Sequence, residues 1–297
     1  MRHNFCAFIL SHGRANGVVT LGLLKRKGYT GDWYIVCDDG DSQLPEYKRK
    51  FGKRVLVFNK AETGTDVCDN FKDAATPVEA RNACFFLAKH LGYDYFVELD
   101  DDYTGLYYRR IVGDILRSVP ARNFDHIFDS MCDFLDCDTR ILSVSLCQGG
   151  DFIGGAKSNA VMAERFYRKA MNSFVCRTDR PFAFRGHFND DVSTYVVLSQ
   201  RGYIFTQTPR CQINQHETQQ CRGGITEAYL KFGTFTKSFM TVMQAPSCTI
   251  VKTMGTAHER MHHFINPVLC YPKVISAKWR KTKAPPIMPP PVLPAGQ

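Results

Sequence analysis

Residues 95–103 read Tyr95-Phe96-Val97-Glu98-Leu99-Asp100-Asp101-Asp102-Tyr103. A mostly apolar run ends, without a gap, in three carboxylates. The run from Tyr95 to Leu99 predicts a buried strand, which puts the Asp100-Asp101-Asp102 triplet at its carboxyl end. Unpaired, three adjacent carboxylates repel one another and raise one another's pKa values. A divalent cation removes the conflict, because carboxylate oxygens are hard ligands suited to Mg²⁺ or Mn²⁺. Such a cation can bridge protein carboxylates to a nucleotide diphosphate leaving group. In isolation the triplet is equally an acidic turn or the first turn of a helix. Its position after a strand favours the cation, because open α/β sheets bind ligands outside the carboxyl ends of their strands.

Outward from this stretch, the first half alternates strand and helix signals. Asn4 to Ser11, Trp33 to Cys37 and Val55 to Phe58 predict strands. Val18 to Lys27 predicts a helix stopped by Gly28. Val78 to His90 predicts another, with Pro77 at its start and Gly92 as its stop. Strands separated by helices imply βαβ units and a mostly parallel sheet. The polar clusters Ser11-His12-Gly13-Arg14 and Asp38-Asp39-Gly40-Asp41 fall, like the triplet, at strand carboxyl ends.

The second half is less regular. Ile141 to Cys147, Pro181 to Phe184 and Tyr203 to Thr206 predict strands, Phe152 to Ala156 a turn, and Asp191 to Gln200 a helix. The stretch from there to Lys273 predicts loops wrapped on the sheet. Ala284 to Gln297, with Pro285-Pro286 and Pro289-Pro290-Pro291, predicts an extended, disordered end.

Composition narrows the function classes. The chain has 297 residues, 44% hydrophobic and 23% charged, which excludes a mostly disordered chain, a coiled coil or a fibre. No apolar run reaches the ~18–20 residues needed to span a bilayer. The apolar run at residues 5–10 is too short for a secretory leader. Twelve cysteines form no CxxC pair and several lie in apolar stretches, so they read as buried thiols in a reducing cytoplasm. The net charge is +9, and the five cations after Pro272 leave the body at only +4. Basic clusters such as Lys25-Arg26-Lys27 and Arg109-Arg110 would suit a polyanion, although taken alone solvated surface charge is the better reading.

Three further constellations carry chemistry. Arg81, with Asn82, interrupts the first turns of an otherwise apolar helix, where an arginine can fork onto phosphate, although taken alone it reads more simply as snorkelling from a half-buried helix to pair with an acid. Gly186-His187-Phe188-Asn189-Asp190-Asp191 opens a helix with an acidic pair. Asp190 is there either a helix cap or, with Asp191, a carboxylate able to take a proton from an acceptor hydroxyl. The histidines His216, His258, His262 and His263 offer an imidazole to complete a carboxylate metal site.

In this order the residues resemble a GT-A glycosyltransferase, a nucleotide-sugar-dependent family with a Rossmann-like sheet. The match runs over about residues 4–275, and the ordered set is far more specific than the DxD motif Asp100-Asp101-Asp102 alone. The stretches "GYTGDWYIVCDDGD", "ARNACFFLAKHLGYDYFVELDDDY", "NDDVSTYV" and "RMHHFINPVLCYPKVIS" are similar to the bacteriophage glycosyltransferases encoded with TET-like dioxygenases. The resemblance implies one domain over 1–275. A nucleotide-sugar-binding half would occupy 1–105 and an acceptor half 106–275, ahead of a basic, Pro-rich tail over 276–297. It implies sugar transfer, from a UDP-sugar in the first place, to 5-hydroxymethylcytosine in phage DNA within the host cytoplasm.

Carried onto this chain, Ser11, Arg14, Asp38, Asp39, Lys60, Arg81, Asp100 and Asp101 would bind the donor. Asp100, Asp102 and His262 would ligate Mn²⁺ or Mg²⁺. Asp191 would be the base of an inverting displacement, with Asp190 in reserve; many GT-A enzymes have Glu-Asp at this pair, one methylene longer. Trp279-Arg280-Lys281 and nearby cations would meet DNA phosphates. The rivals are transfer to a polysaccharide, lipid or protein, a nucleotidyltransferase, and a non-catalytic nucleic-acid-binding protein.

Overall fold

The computed structural model describes residues 1–63, 69, 71, 76–158, 161, 169–215, 225–255, 259–266 and 268–270. His216, His258 and the tail lie outside the described residues.

β1 (Phe5–Leu10) is six consecutive buried residues, the pattern of a strand covered on both faces. It pairs in parallel with β2 (Asp32–Asp38) on one side and β4 (Tyr95–Asp100) on the other, and β3 (Val55–Phe58) adds to β2. The sheet continues through β8 (Phe174–Arg177), β7 (Ile141–Cys147), β9 (Ile204–Gln215), β5 (Tyr103–Val112) and β6 (Ile115–Pro120). The pairings make β8 and β5 the two strands that run against the other seven. The result is a nine-stranded, mostly parallel sheet flanked by helices, as the alternating strand and helix signals predict.

The period of two along a strand sorts the core into two layers. Phe5, Ala7 and Ile9 face α1 (Val19–Arg26) and α4 (Phe124–Asp136). Cys6, Phe8 and Leu10 face α3 (Val78–His90) and α5 (Asp190–Gln200). Gly28 ends α1 at φ +74°, a conformation that costs a side-chain-bearing residue, and a Cβ there would stand 2.9 Å from the Arg122 carbonyl oxygen. Gly92 stops α3 in the same left-handed conformation.

Several segments differ from expectation. Residues 181–184 form no strand: Pro181 has no N–H to give a ladder, and the Phe184 N–H goes to Asn82 Oδ1 at 2.7 Å. Their apolar character serves an aromatic cluster, in which Phe182 and Phe184 pack on Phe85, Phe174 and Phe205. The region after Thr206 is not all loop. β9 runs on to Gln215, α6 (Ile225–Phe232) and α7 (Thr236–Gln244) follow, and β10 (Thr249–Met254) pairs with β11 (Arg260–Ile265) as a hairpin.

α2 (Leu44–Phe51) buries only Tyr47 and so offered no periodic signal. α4, also unexpected, does carry one, since Phe124, Ile127, Phe128, Met131 and Leu135 recur at helical spacing behind an Asn123 cap. Among the described residues ten cysteines are free, nine of them buried. No helix of the described residues is long and apolar enough to cross a membrane.

Candidate active site

Strand alternation also places the acids. Glu98 and Asp100 have the parity of Phe96 and face the α3 layer, whereas Asp101 follows Leu99 toward the α1 layer. On the α3 side stands Arg81, at the end of the first turn of a helix that is otherwise packed against the sheet. Its side chain is 3% exposed. Nη2 donates to Asp100 Oδ1 at 3.2 Å, Nη1 lies 3.6 Å from Glu98 Oε2, and Nε lies 2.9 Å from Asp190 Oδ2. The rings of Phe174 and Phe184 lie 4.9 and 5.6 Å from its guanidinium carbon. Arg81 is therefore turned inward onto three carboxylates and aromatic faces.

One guanidinium cannot neutralise three carboxylates. Burial is the main cause that raises the Asp100 and Asp190 carboxyls, against the pull of Arg81 and with the push of their acidic neighbours, and both reach about 7. Glu98, completely buried, is pushed up as well, first by burial. Asp191 is also raised by burial, opposed by Arg81 and by its bond from the Val192 N–H. That bond is 2.7 Å long and ends on Asp191 Oδ1.

On the α1 side, Asp101 is buried and accepts from Ser11 Oγ at 2.6 Å and from Arg14 Nη1 at 3.0 Å. Ser11 Oγ is also 2.6 Å from the Tyr47 hydroxyl. The turn after β4 is pinned to α1 through Thr20, whose hydroxyl donates to the Asp100 carbonyl and accepts from the Tyr103 N–H.

At the end of β2, Asp38 Oδ2 lies 2.6 Å from His12 Nδ1, and this bond raises the imidazole's pKa. Asp41 Oδ2 is 3.7 Å from the same nitrogen. His12, Asp38 and Asp41 are close enough to share a cation. Both Asp41 oxygens, however, already accept backbone N–H groups, from Gly13 and Gln43 at 2.8 Å each. This group clamps the β1 and β2 loops together.

These elements enclose a cavity of about 300 Å³. Ser11, Arg14, Asp38, Lys60, Arg81, Asp100, Asp101, Asp102, Asp190 and Asp191 all line it. Asp39 does not; it is exposed, and its Oδ1 accepts from the Lys60 N–H at 3.3 Å. His262 does not line it either, although its Nδ1 is buried and has no hydrogen-bond partner among the described residues. The neighbouring His263, with its ring 4.5 Å from that of His262, lies 3.1 Å through Nδ1 from Asn189 Nδ2. Asn189, itself in the cavity wall, holds the left-handed conformation at φ 56° just before α5. That is an unusual conformation for a residue with a side chain. Its amide also donates to Thr241 Oγ1 at 2.8 Å.

Several site residues carried no assigned role in the sequence. Glu98 is the lone acid in an apolar strand, and that break in the pattern is its signal. Lys237, on α7, reaches the cavity wall. His187 is buried between two acids, with Nδ1 2.5 Å from Asp69 Oδ1 and Nε2 3.1 Å from Glu79 Oε1.

Comparison with curated proteins finds no match. Among solved structures, glucosyl-3-phosphoglycerate synthase from Mycobacterium tuberculosis, in complex with Mg²⁺ and UDP, is similar at a TM-score of 0.45 and 9% identity. The similarity covers 89% of this chain and 88% of that one. The mannosyltransferase PcManGT from Pyrobaculum calidifontis, in complex with GDP-Man and Mn²⁺, is similar at a TM-score of 0.47 and 15% identity, over 80% of this chain and 65% of that one. The family model of the TET-associated glycosyltransferases matches residues 5–224. The chain is a glycosyltransferase and belongs to the TET-associated glycosyltransferase family.

Proposed function

We propose that this glycosyltransferase moves a sugar from a nucleotide-sugar donor, a UDP-sugar in the first place, to the hydroxyl of 5-hydroxymethylcytosine in phage DNA in the host cytoplasm, with inversion at the anomeric carbon. The observation that carries the reading is the shared cavity. The DxD carboxylates Asp100 to Asp102 and the acidic pair Asp190-Asp191 line one space, though ninety residues separate them.

The donor end is the group at the carboxyl ends of β1, β2 and β4. Asp38, held by His12, meets the base or ribose. Ser11, Arg14 and Asp101 form a linked hydrogen-bonding wall, and Lys60 offers charge to the diphosphate. Arg81 acts on this end through Asp100, which it holds in place.

The donor set suits a hard divalent cation. Carboxylates outnumber their buried cation, and the His262 imidazole, outside the cavity wall, has a buried nitrogen with no hydrogen-bond partner among the described residues. Asp100, Asp102 and His262 would hold Mn²⁺ or Mg²⁺, which stabilises the charge of a departing nucleoside diphosphate.

At the acceptor end Asp191 takes the proton of the attacking hydroxyl. Burial raises its pKa from that of an ordinary aspartate, toward the range where a general base is effective. Asp190, paired with Arg81, keeps the start of α5 against the sheet. The acceptor hydroxyl then attacks the anomeric carbon through an oxocarbenium-like transition state. A target in duplex DNA must be met in the groove or flipped out, at a cost of a few kcal/mol of unstacking.

The test is mass spectrometry of nucleosides from hydroxymethylated DNA incubated with the protein, Mn²⁺ and a panel of nucleotide sugars. A hexose or pentose mass gain on the modified cytidine is expected. Donor consumption that does not respond to hydroxymethylated DNA would overturn the acceptor.

A further inference from the structure

The outermost strands of the sheet, β5 and β6, form a hairpin whose two faces have different surroundings. One face is held down: Leu116 packs beside Cys147 and Phe152, and the Arg109 guanidinium lies 4.8 Å over the Phe152 ring. Arg109 also donates to Ser118 Oγ at 2.9 Å. The register places Tyr108 opposite Val119, Arg110 opposite Arg117, and Val112 opposite Ile115. By strand alternation these three pairs share the other face.

Past Tyr108, which is half-buried and packs against the core layer of α1 and α4, that face is turned to solvent. Arg110 and Arg117 are exposed, and Val112 and Ile115 are 54% and 59% exposed. Like charges directly opposite each other destabilise a sheet. Residues 108–119 nevertheless carry three arginines and a single acid, Asp114. An arginine pair held face to face beside bare apolar side chains has the chemistry for a polyanion with an apolar interior. A two-stranded ribbon has the width of the DNA major groove.

We propose that this face of the β5–β6 hairpin is a docking surface for duplex DNA, with Arg110 and Arg117 on backbone phosphates and the Val112–Ile115 pair at the groove. The proposal rests on the reading of DNA as the acceptor. β5 leaves directly from the carboxylate turn, and its ten residues span roughly 33 Å of strand. That length corresponds to about ten base pairs at 3.4 Å each, so the hairpin engages the duplex beside the target nucleotide.

The test compares the full-length protein with the Arg110→Gln/Arg117→Gln double variant. It measures binding to a hydroxymethylated duplex against salt concentration, and separately transfer to duplex and to a hydroxymethylated mononucleotide. Loss of two phosphate contacts is expected to make the slope of log affinity against log salt shallower by about 1.8. Between 50 and 200 mM salt the variant's affinity should then fall about tenfold less than that of the unchanged protein. Transfer to the mononucleotide should stay the same. An unchanged slope overturns the proposal. So does a variant whose only loss is sedimentation with anionic phospholipid vesicles, which would make the face a membrane contact. An unchanged protein that binds DNA through this face but transfers no sugar to it would overturn the acceptor reading and leave the docking surface standing.

Discussion

Arg81 Nε stands 2.9 Å from Asp190 Oδ2, a buried ion pair that ties the first turn of α3 to the first residue of α5. The same guanidinium holds Asp100 on the carboxylate turn and lies beside Glu98 within β4. One cation thus links the donor end of the cavity to the acidic pair at its other end. A guanidinium with these neighbours has a positioning role, and its removal leaves buried carboxylates unpaired.

Arg81→Met should therefore act on stability first. Removing one partner of a buried pair costs about 3–5 kcal/mol. Urea unfolding should show this loss, and Arg81→Lys should restore only part of it, since an ammonium cannot reach three acids in fork geometry. A stable variant with only a raised KM for donor would instead place Arg81 on the diphosphate.

Asp191 and Asp190 should separate in their behaviour. Asp191→Asn should keep donor binding and lose turnover by about 10²- to 10⁴-fold, the usual worth of a positioned base. Asp190→Asn should lower the unfolding midpoint, because it strips Arg81 of its nearest carboxylate. Steady-state kinetics together with thermal melts of both variants would check the split. Full turnover in Asp191→Asn would move the base elsewhere.

Asp102→Ala should abolish Mn²⁺-dependent nucleotide binding in calorimetry while the protein stays folded. His262→Ala should weaken Mn²⁺ directly. His263→Ala should weaken it by a smaller factor, about 10-fold, through the loss of the Asn189 contact that orients the hairpin. A larger effect at His263 would exchange the two roles.

His187 gives a pH signature. Both ring nitrogens face carboxylates, so the doubly protonated ring is the form that satisfies both. Burial lowers its pKa, but the bonds to Glu79 and Asp69 outweigh burial and the net shift is upward from 6.5. A raised folded-state pKa means the stabilisation is fully present below 6.5 and is lost as pH rises through the raised value. Thermal melts should show the unchanged protein losing stability as pH rises above 6.5. His187→Gln should be weaker by about 2 kcal/mol at pH 6 and should show a shallower decline, the remainder coming from the raised Asp100 and Asp190 carboxyls. Parallel curves for the two proteins would refute a charged His187.

The local code of this chain was readable where apolar runs were continuous. β1, β2, β3 and β4, the helices α1 and α3 with their glycine stops, and α5 behind Asp190 all follow from periodicity and punctuation within a dozen residues. The cluster of acids at the strand ends was readable for the same reason, since a strand's end and its next residues are adjacent in sequence. What those acids touch was not readable. Arg81, Glu98, Asp100 and Asp190 meet only because α3 and α5 pack on the same face of the sheet, the face to which β4 turns Glu98 and Asp100.

The apolar residues at 182 and 184 could as well have been strand or cluster, and the choice went to the aromatic neighbours that the fold brought beside them. His262 and His263 are adjacent in sequence, yet only the packing of the β10–β11 hairpin on α5 and α7 decided which of them reaches Asn189. Secondary structure here follows from interactions between near neighbours, so the sequence by itself determined it and the order of the acidic motifs. Charge pairing and cavity walls depend on contacts spanning about a hundred residues, and only the tertiary structure decided those.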